Sequence, residues 1–158
     1  LHEKNRKGVF YPLQTFSKNK IVDFKTIPIC LEAENKTDLQ LLKTIAHSIS
    51  NAIYEINSEQ RKALHVSAVF VNNFVNHLLY KGQSQLTEKG LDGNLLNALI
   101  KETVSKLETI SAFDAQTGPA RRNDKETIQA HRSLLNEEDR KLYDVLTDSI
   151  LKTYSKHD

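Results

Sequence analysis

The sequence lacks the residues that usually mark disulfide frameworks and membrane spans. Its 158 residues include one cysteine and no methionine. One cysteine cannot build a disulfide framework, and no apolar run approaches the roughly 18 residues that a membrane span needs. We therefore expect a soluble, cytoplasmic protein without a membrane partner. Because position 1 is not methionine either, we also expect this chain to be the C-terminal part of a longer protein.

An excess of charge of one sign is also missing. The 22 basic and 20 acidic residues leave a net charge of +2, which is too small to indicate a polyanionic partner. We therefore expect no nucleic-acid binding. The sequence also lacks the cysteine pairs and His-Glu patterns of common metal sites, and the glycine-rich or serine motifs of common enzymes. We expect no metal site and no self-contained catalytic machinery.

Residues 58–80 form the stretch around which the chain is organised, and they predict one long helix. They contain no glycine or proline, Ser58 can cap the start, and Gly82 can end the helix. At about 100° per residue, apolar side chains cover most of the circumference, which predicts a helix that is buried on nearly all sides. A polar stripe interrupts this surface within roughly 40° of one line, with Asn73 about 80° away. Its members are Arg61, His65, Asn72 and Asn76.

Polar groups on a buried helix need hydrogen-bond partners. Burying an unpaired amide or imidazole costs about 1 to 3 kcal/mol. Either neighbouring loops or a bound ligand can supply the partners, and the pattern alone leaves both possibilities open. His65 is the one group of the stripe that exchanges a proton near neutral pH, although a lone histidine on such a helix is often a satisfied core residue.

The rest of the chain predicts strands first and helices afterwards. Apolar and β-branched runs predict strands at residues 8–16, 27–33 and 52–56, with a helix at residues 38–50 capped by Thr37. This order suggests the tail of an α/β sheet. After the central helix, three cap residues predict helices that begin at residues 93, 125 and 137. These caps are Asp92, Asp124 and Asn136.

A second polar cluster lies in the segment TGPARRND, residues 117–124. Arg121 and Arg122 stand just before a predicted helix start, where backbone N–H groups can bind an anion such as a carboxylate. The same residues are also typical of a capped turn between helices with solvated arginines. The sequence does not separate these two interpretations.

Three segments carry a resemblance to a known family: GVFYPLQTFS, LHVSAVFVNNFVNHLL and TGPARRND. They resemble signature stretches of NAD(P)-dependent oxidoreductases related to pyrroline-5-carboxylate reductase, the β-hydroxyacid dehydrogenases and the deazaflavin-linked NADP reductases. Those proteins join an N-terminal Rossmann domain to a C-terminal helical domain of unknown function. Tyr11 stands where the family usually has histidine, and Asn123 where it usually has glycine. The matching residues are Pro12, Gln14, Phe16, His65, Ala68, Val69, Asn73, Gly118, Pro119, Arg122 and Asp124.

The resemblance implies a mainly α fold in two parts. Residues 1–57 would be the last strands and helix of a Rossmann-like sheet. Residues 58–158 would be a helical bundle like the C-terminal domain of the 6-phosphogluconate dehydrogenase superfamily, used for substrate binding and dimerisation. NADP or NAD would be bound mainly by a domain upstream of Leu1, so this fragment alone is expected to be inactive.

The resemblance also implies roles for particular residues in a homodimer that acts on a small-molecule substrate. His65 and Asn73 would be catalytic, with His65 as general acid or base for a carbonyl or imine. The substrate-binding candidates are Asn72, Asn76, Gln14, Arg122 and Asp124. The alternative is a non-catalytic helical dimerisation or interaction module attached to a dinucleotide-sensing domain.

Overall fold

The computed structural model describes residues 5–155; the first four residues of the segment 1–57 and the last three of the segment 58–158 lie outside this range. The described chain is mainly helical with one three-stranded sheet, which confirms the coarse fold class. The likeness to the 6-phosphogluconate dehydrogenase bundle stays a prediction. Two units are present, Leu1–His77 and Leu78–Asp158. The predicted functional division after residue 57 stays a prediction.

The first unit contains a mixed sheet in the order β1-β2-β3. β1 runs antiparallel to β2, and β2 runs parallel to β3. The parallel pair is joined through helix α1, as such a connection requires. The three predicted strands are confirmed with shorter bounds, because Pro12 ends β1 and Pro28 stands just before β2. The elements are β1 Gly8–Pro12, β2 Ile29–Ala33, α1 Lys36–Ile49 and β3 Ile53–Glu55.

Strand β2 carries the core of the first unit. Ile29 and Leu31 are fully buried and pack with Ala46 of α1. A strand that has neighbours on both edges and a helix packed against it usually has a continuous apolar sequence. This pattern is why the sequence predicted a strand here. Cys30 in the same strand is buried, and burial raises the pKa of its thiol.

The central helix is longer than predicted and far more exposed. Gly82 does not end it, because glycine inside a helix costs only about 1 kcal/mol and stops it only where the backbone leaves helical geometry. The prediction of nearly complete burial is wrong. No residue of the helix is buried, and Phe70 and Val71 are 61% and 74% exposed. A helical wheel shows which side chains are apolar but not what covers them. Its parts are α2 Ser58–Ala68, a π-helical segment Val69–Phe74 and α3 Val75–Glu88.

Two helices of the first unit begin at asparagine caps that differ from the predicted ones. Asn35 caps α1, and its side chain accepts a hydrogen bond from the backbone N–H of Asp38. Asn57 caps α2. Thr37 and Ser58 were therefore the wrong cap residues. Asparagine accepts such a bond as readily as serine or threonine does. Where several of these residues lie close together, the sequence therefore defines the first residue of the helix only to within one or two positions.

The second unit is helical. Its predicted caps Asp92, Asp124 and Asn136 are confirmed, because each side chain accepts a backbone N–H from the first turn that follows. The helix that was predicted to begin at residue 93 is instead α4 with a 3₁₀ turn at each end. The elements are the turn Gly93–Leu96, α4 Asn97–Ser105, the turn Lys106–Glu108, α5 Lys125–Leu134 and α6 Glu137–Tyr154. Among residues 5–155, no helix has both the length and the apolarity to cross a bilayer.

Candidate functional site

An open cavity of about 470 Å³ lies in the first unit, a size typical of small-molecule sites. One part of its wall comes from β1 and the loop after it, and the other part comes from the central helix. Leucine, valine and alanine side chains form the apolar lining. We call it the amide cavity, after its carboxamide side chains. The polar side chains that line it are Tyr11, Gln14, Thr15, His65, Ser67, Asn72 and Asn73.

The end of β1 and the following loop hold the first group of lining residues. Tyr11 is half-buried in the strand. The backbone N–H of Leu13 donates to the carbonyl oxygen of Pro28 at 2.8 Å, which fixes the chain as it leaves the sheet. The carboxamide oxygen of Gln14 accepts the backbone N–H of Thr15 at 2.8 Å. The loop therefore presents Gln14 in a defined orientation.

The π-helical segment brings Asn72 and Asn73 to the same cavity. On an α-helical wheel these neighbours diverge by about 100°, and the prediction accordingly set Asn73 apart from the stripe. A π-helix uses hydrogen bonds from residue i to residue i+5, so one turn takes more residues and neighbours diverge less. Both carboxamides can then serve one site. Such segments occur frequently at functional sites.

The polar side chains contributed by the central helix are not used by the rest of the first unit. His65, Asn72 and Asn73 are exposed, and none of them makes a side-chain hydrogen bond within the described part of the chain. The same holds for the hydroxyl group of Tyr11. Within residues 5–155 no neighbouring loop therefore supplies a partner for these groups, which stay open to water or a ligand.

Arg61, the first member of the predicted stripe, has a structural partner. Its Nε atom donates to Oε2 of Glu32 at 3.2 Å, and the hydroxyl of Ser58 donates to Oε1 of Glu32 at 2.6 Å. These bonds lower the pKa of Glu32, with Ser58 as the largest cause and Arg61 adding to it. The network ties the first turn of α2 to β2, so Arg61 serves the fold.

A second open cavity of about 490 Å³ adjoins the amide cavity and shares Tyr11 and His65 with it. Arg61 and Lys62 also line this second cavity. Lys62 is paired with Glu59 at 2.8 Å, so both cations have carboxylate partners. Tyr11 and His65 therefore stand at the wall common to the two cavities.

Three predicted site residues do not line the amide cavity. Asn76 is exposed on α3, while Arg122 and Asp124 belong to the second unit. Asp124 accepts the backbone N–H of Thr127 at 3.0 Å and its hydroxyl at 2.8 Å. These bonds lower the pKa of Asp124, the backbone bond being the largest cause. The carboxylate of Asp124 is thus occupied in capping α5.

Tyr11 and Thr15 are lining residues that sequence reasoning did not select. Tyr11 was set aside because it replaces the histidine of the family pattern, although its position beside Gln14 in that pattern was the available signal. Thr15 carries no signal beyond its place between Gln14 and Phe16 in the matched segment. Both residues line the cavity because they are close to Gln14 in the chain, and their residue types gave no indication of this position.

Fold and cavity together describe a mainly helical chain with a small mixed sheet and an open cavity that is lined in part by polar side chains. The chain belongs to the family described as a domain of unknown function, DUF2520, whose profile matches residues 27–150. No curated protein sequence matches the chain.

Two solved structures are similar to the chain. One from Bacteroides fragilis, described as a "putative NADP oxidoreductase", is 41% identical with a TM-score of 0.90, over 95% of this chain and 59% of that one. A protein from Thermotoga maritima is 28% identical with a TM-score of 0.71, over 94% of this chain and 60% of that one. The chain thus spans about three fifths of the length of either structure.

These comparisons confirm the resemblance at the level of the family and of its oxidoreductase neighbour. Kinship with pyrroline-5-carboxylate reductase, the β-hydroxyacid dehydrogenases and the deazaflavin-linked reductases stays a prediction. So does the position of this chain at the C-terminal end of a longer protein.

Proposed function

We propose that this chain is the substrate-binding and dimerisation part of an NAD(P)-dependent oxidoreductase that transfers hydride to a small carbonyl or imine compound. The observation that carries the proposal is the amide cavity, where Gln14, His65, Asn72 and Asn73 come together. The similarity to the Bacteroides fragilis structure supports the class of reaction and favours NADP over NAD.

His65 is proposed as the general acid or base. Reduction of a carbonyl or imine leaves negative charge on oxygen or nitrogen, which a positioned proton donor must neutralise. An imidazole does this near neutral pH, and the ring of His65 has no hydrogen-bond partner within residues 5–155. Asn72 and Asn73 can donate and accept hydrogen bonds at the same time, so they are suited to orient the substrate.

The strand-to-helix turns among the described residues lack the motif that usually binds the phosphates of a dinucleotide. That motif is a glycine-rich turn between a strand and the start of a helix. The turns from β2 to α1 and from β3 to α2 each consist of two residues and contain no glycine. We therefore assign NADP or NAD binding mainly to another part of the protein and expect this chain alone to be inactive.

A second copy of the chain is proposed to cover the apolar surface of the central helix. Phe70 and Phe74 pack edge to face with ring centroids 5.2 Å apart, and they are 61% and 50% exposed. Removing such surface from water contributes about 25 cal/mol per Å². A two-fold partner would present the same rings in return, as an isologous interface requires.

The alternative is a non-catalytic helical module attached to a dinucleotide-sensing domain. The exposed Phe70 and Phe74 favour such an assembly role. The alternative gives no reason for an imidazole and two carboxamides without partners in one cavity. The catalytic proposal accounts for both features.

The test begins with titration of NADPH and NADH against the full-length protein, followed by a screen of small keto, imino and hydroxy compounds. We expect His65→Ala to lower turnover by about 10² to 10⁴-fold and to leave cofactor binding and Tm unchanged. His47→Ala is the matched control, because His47 is exposed on α1 and outside the cavity lining.

Unchanged turnover in His65→Ala would remove the catalytic assignment. Dinucleotide binding without turnover of any compound would favour the sensing alternative. Failure of both NADPH and NADH to bind would contradict the proposal and its alternative together.

A further inference from the structure

The amide cavity has a polar wall without formal charge. Among the described residues, its lining contains no aspartate, glutamate, lysine or arginine. The polar groups are instead carboxamides, hydroxyls and one imidazole. The adjoining cavity is lined by two cations, Arg61 and Lys62, and each of them is paired with a carboxylate. With His65 neutral, the wall therefore offers many hydrogen bonds but no counter-charge.

A carboxylate bound against such a wall would lose hydration without gaining an ion pair. That loss is costly, whereas an uncharged hydroxyl or carbonyl group can be fully satisfied by hydrogen bonds from Asn72, Asn73 and Gln14. A site built from hydrogen-bonding groups also discriminates strongly against ligands that leave those groups unpaired. Both effects favour an uncharged, hydroxyl-rich ligand.

We infer that the amide cavity takes an uncharged carbonyl compound that carries hydroxyl groups, rather than a keto or imino acid. That the ligand contains a carbonyl group rests on the proposed function. That the ligand is uncharged rests on the residues of the lining alone. In this arrangement the carbonyl oxygen lies at His65 and Tyr11, which stand at the wall shared by the two cavities. The hydroxyl groups lie at Gln14 and the two asparagines.

Two small probes of nearly equal size separate the possibilities. Hydroxyacetone and pyruvate share a methyl ketone, but the first carries a hydroxymethyl group where the second carries a carboxylate. Their dissociation constants for the full-length protein are measured by saturation-transfer NMR at pH 8, above the range in which imidazole usually gains its proton. We expect hydroxyacetone to bind about tenfold more tightly than pyruvate.

A charge introduced into the wall should reverse this preference. Gln14→Lys places a cation at the exposed edge of the cavity, and we expect pyruvate to bind about tenfold more tightly to it than to the wild type. Gln40→Lys is the matched control. It makes the same substitution on the exposed surface of α1, outside the cavity lining, and should leave both constants unchanged.

Equal or tighter binding of pyruvate to the wild type would overturn the inference. Binding of neither probe would overturn it as well, as would an equal effect of the two lysine substitutions. Because the readout is binding, failure of the proposed function is distinguishable. Hydroxyacetone that binds but is not reduced by NADPH would remove the oxidoreductase proposal and leave the ligand class in place.

Discussion

At the scale of single residues, Asn123 and Asp124 shape the turn that leads into α5. Asn123 has a φ of +52°, a left-handed conformation that asparagine tolerates and glycine adopts freely. This accounts for the glycine that the resembling family usually carries there. Asp124 follows as the cap of α5. Both residues thus have structural tasks, which their sequence pattern could not separate from anion binding.

The cap at Asp124 predicts a specific pH dependence of stability. Because hydrogen bonds from Thr127 lower the pKa of Asp124 below its ordinary value of 3.8, the ionised carboxylate stabilises the folded chain above that value. This contribution is lost as the pH falls through the lower pKa of the folded state. We expect Asp124→Ala to lower Tm at pH 7. Asp124→Asn should keep the cap and most of Tm.

Thermal unfolding followed by circular dichroism from pH 7 to acid provides the measurement. Asp124→Asn should lose less stability on acidification than the wild type, because the carboxamide does not titrate. Identical acid profiles of the wild type and Asp124→Asn would show that the cap is not coupled to protonation.

At the scale of elements, the start of α2 is fixed by a reciprocal pair of hydrogen bonds. The side chain of Asn57 accepts the backbone N–H of Gln60, and the side chain of Gln60 accepts the backbone N–H of Asn57, both at 2.9 Å. Such a capping box satisfies two backbone donors that a helix start otherwise leaves unpaired. Ser58 is not the cap, and its hydroxyl serves Glu32 instead.

Loss of this cap should destabilise the chain by a modest and measurable amount. We expect Asn57→Ala to lower the free energy of unfolding by about 1 kcal/mol, and Asn57→Ser to retain most of it, because serine also caps well. Urea denaturation of the two variants and the wild type measures the difference. Equal destabilisation by alanine and serine would contradict the capping role.

The elements were largely predictable from sequence because their signals are local. Prolines 12 and 28 bound the strands, and Asp92, Asp124 and Asn136 mark helix starts. The π-helical segment Val69–Phe74 left no such signal. A π-helix forms when each backbone N–H bonds to the carbonyl oxygen five residues earlier instead of four. A helical wheel assumes the same angle for every residue and cannot show this difference. The helical wheel could for this reason not bring Asn72 and Asn73 together, and only the family resemblance predicted both as residues of one site.

At the scale of the whole molecule, the central helix has an apolar surface that no other part of the described chain covers. The sequence correctly showed where this surface lies, yet burial was predicted and exposure is found at Phe70, Val71 and Phe74. Burial depends on what packs against a helix, and that information is not contained in the pattern of the helix itself. An assembly with a second copy is our proposal for the missing cover.

The proposed dimer predicts an effect on molecular mass in solution. Phe70→Glu with Phe74→Glu should convert the full-length dimer to a monomer, because two carboxylates would be buried without partners in the interface. Tyr54→Glu is the matched control, since Tyr54 is 55% exposed on β3 in the same unit. Sedimentation velocity measures the outcome. A monomeric wild type, or a dimer in all three proteins, would contradict the proposal.

The most direct test of the central claim is a crystal structure of the full-length protein with NADP⁺ bound. Our account predicts that the nicotinamide ring borders the amide cavity, with its hydride-accepting carbon open toward His65, Asn72 and Asn73. A nicotinamide bound away from this cavity, or a cavity closed off by another part of the protein, would contradict it.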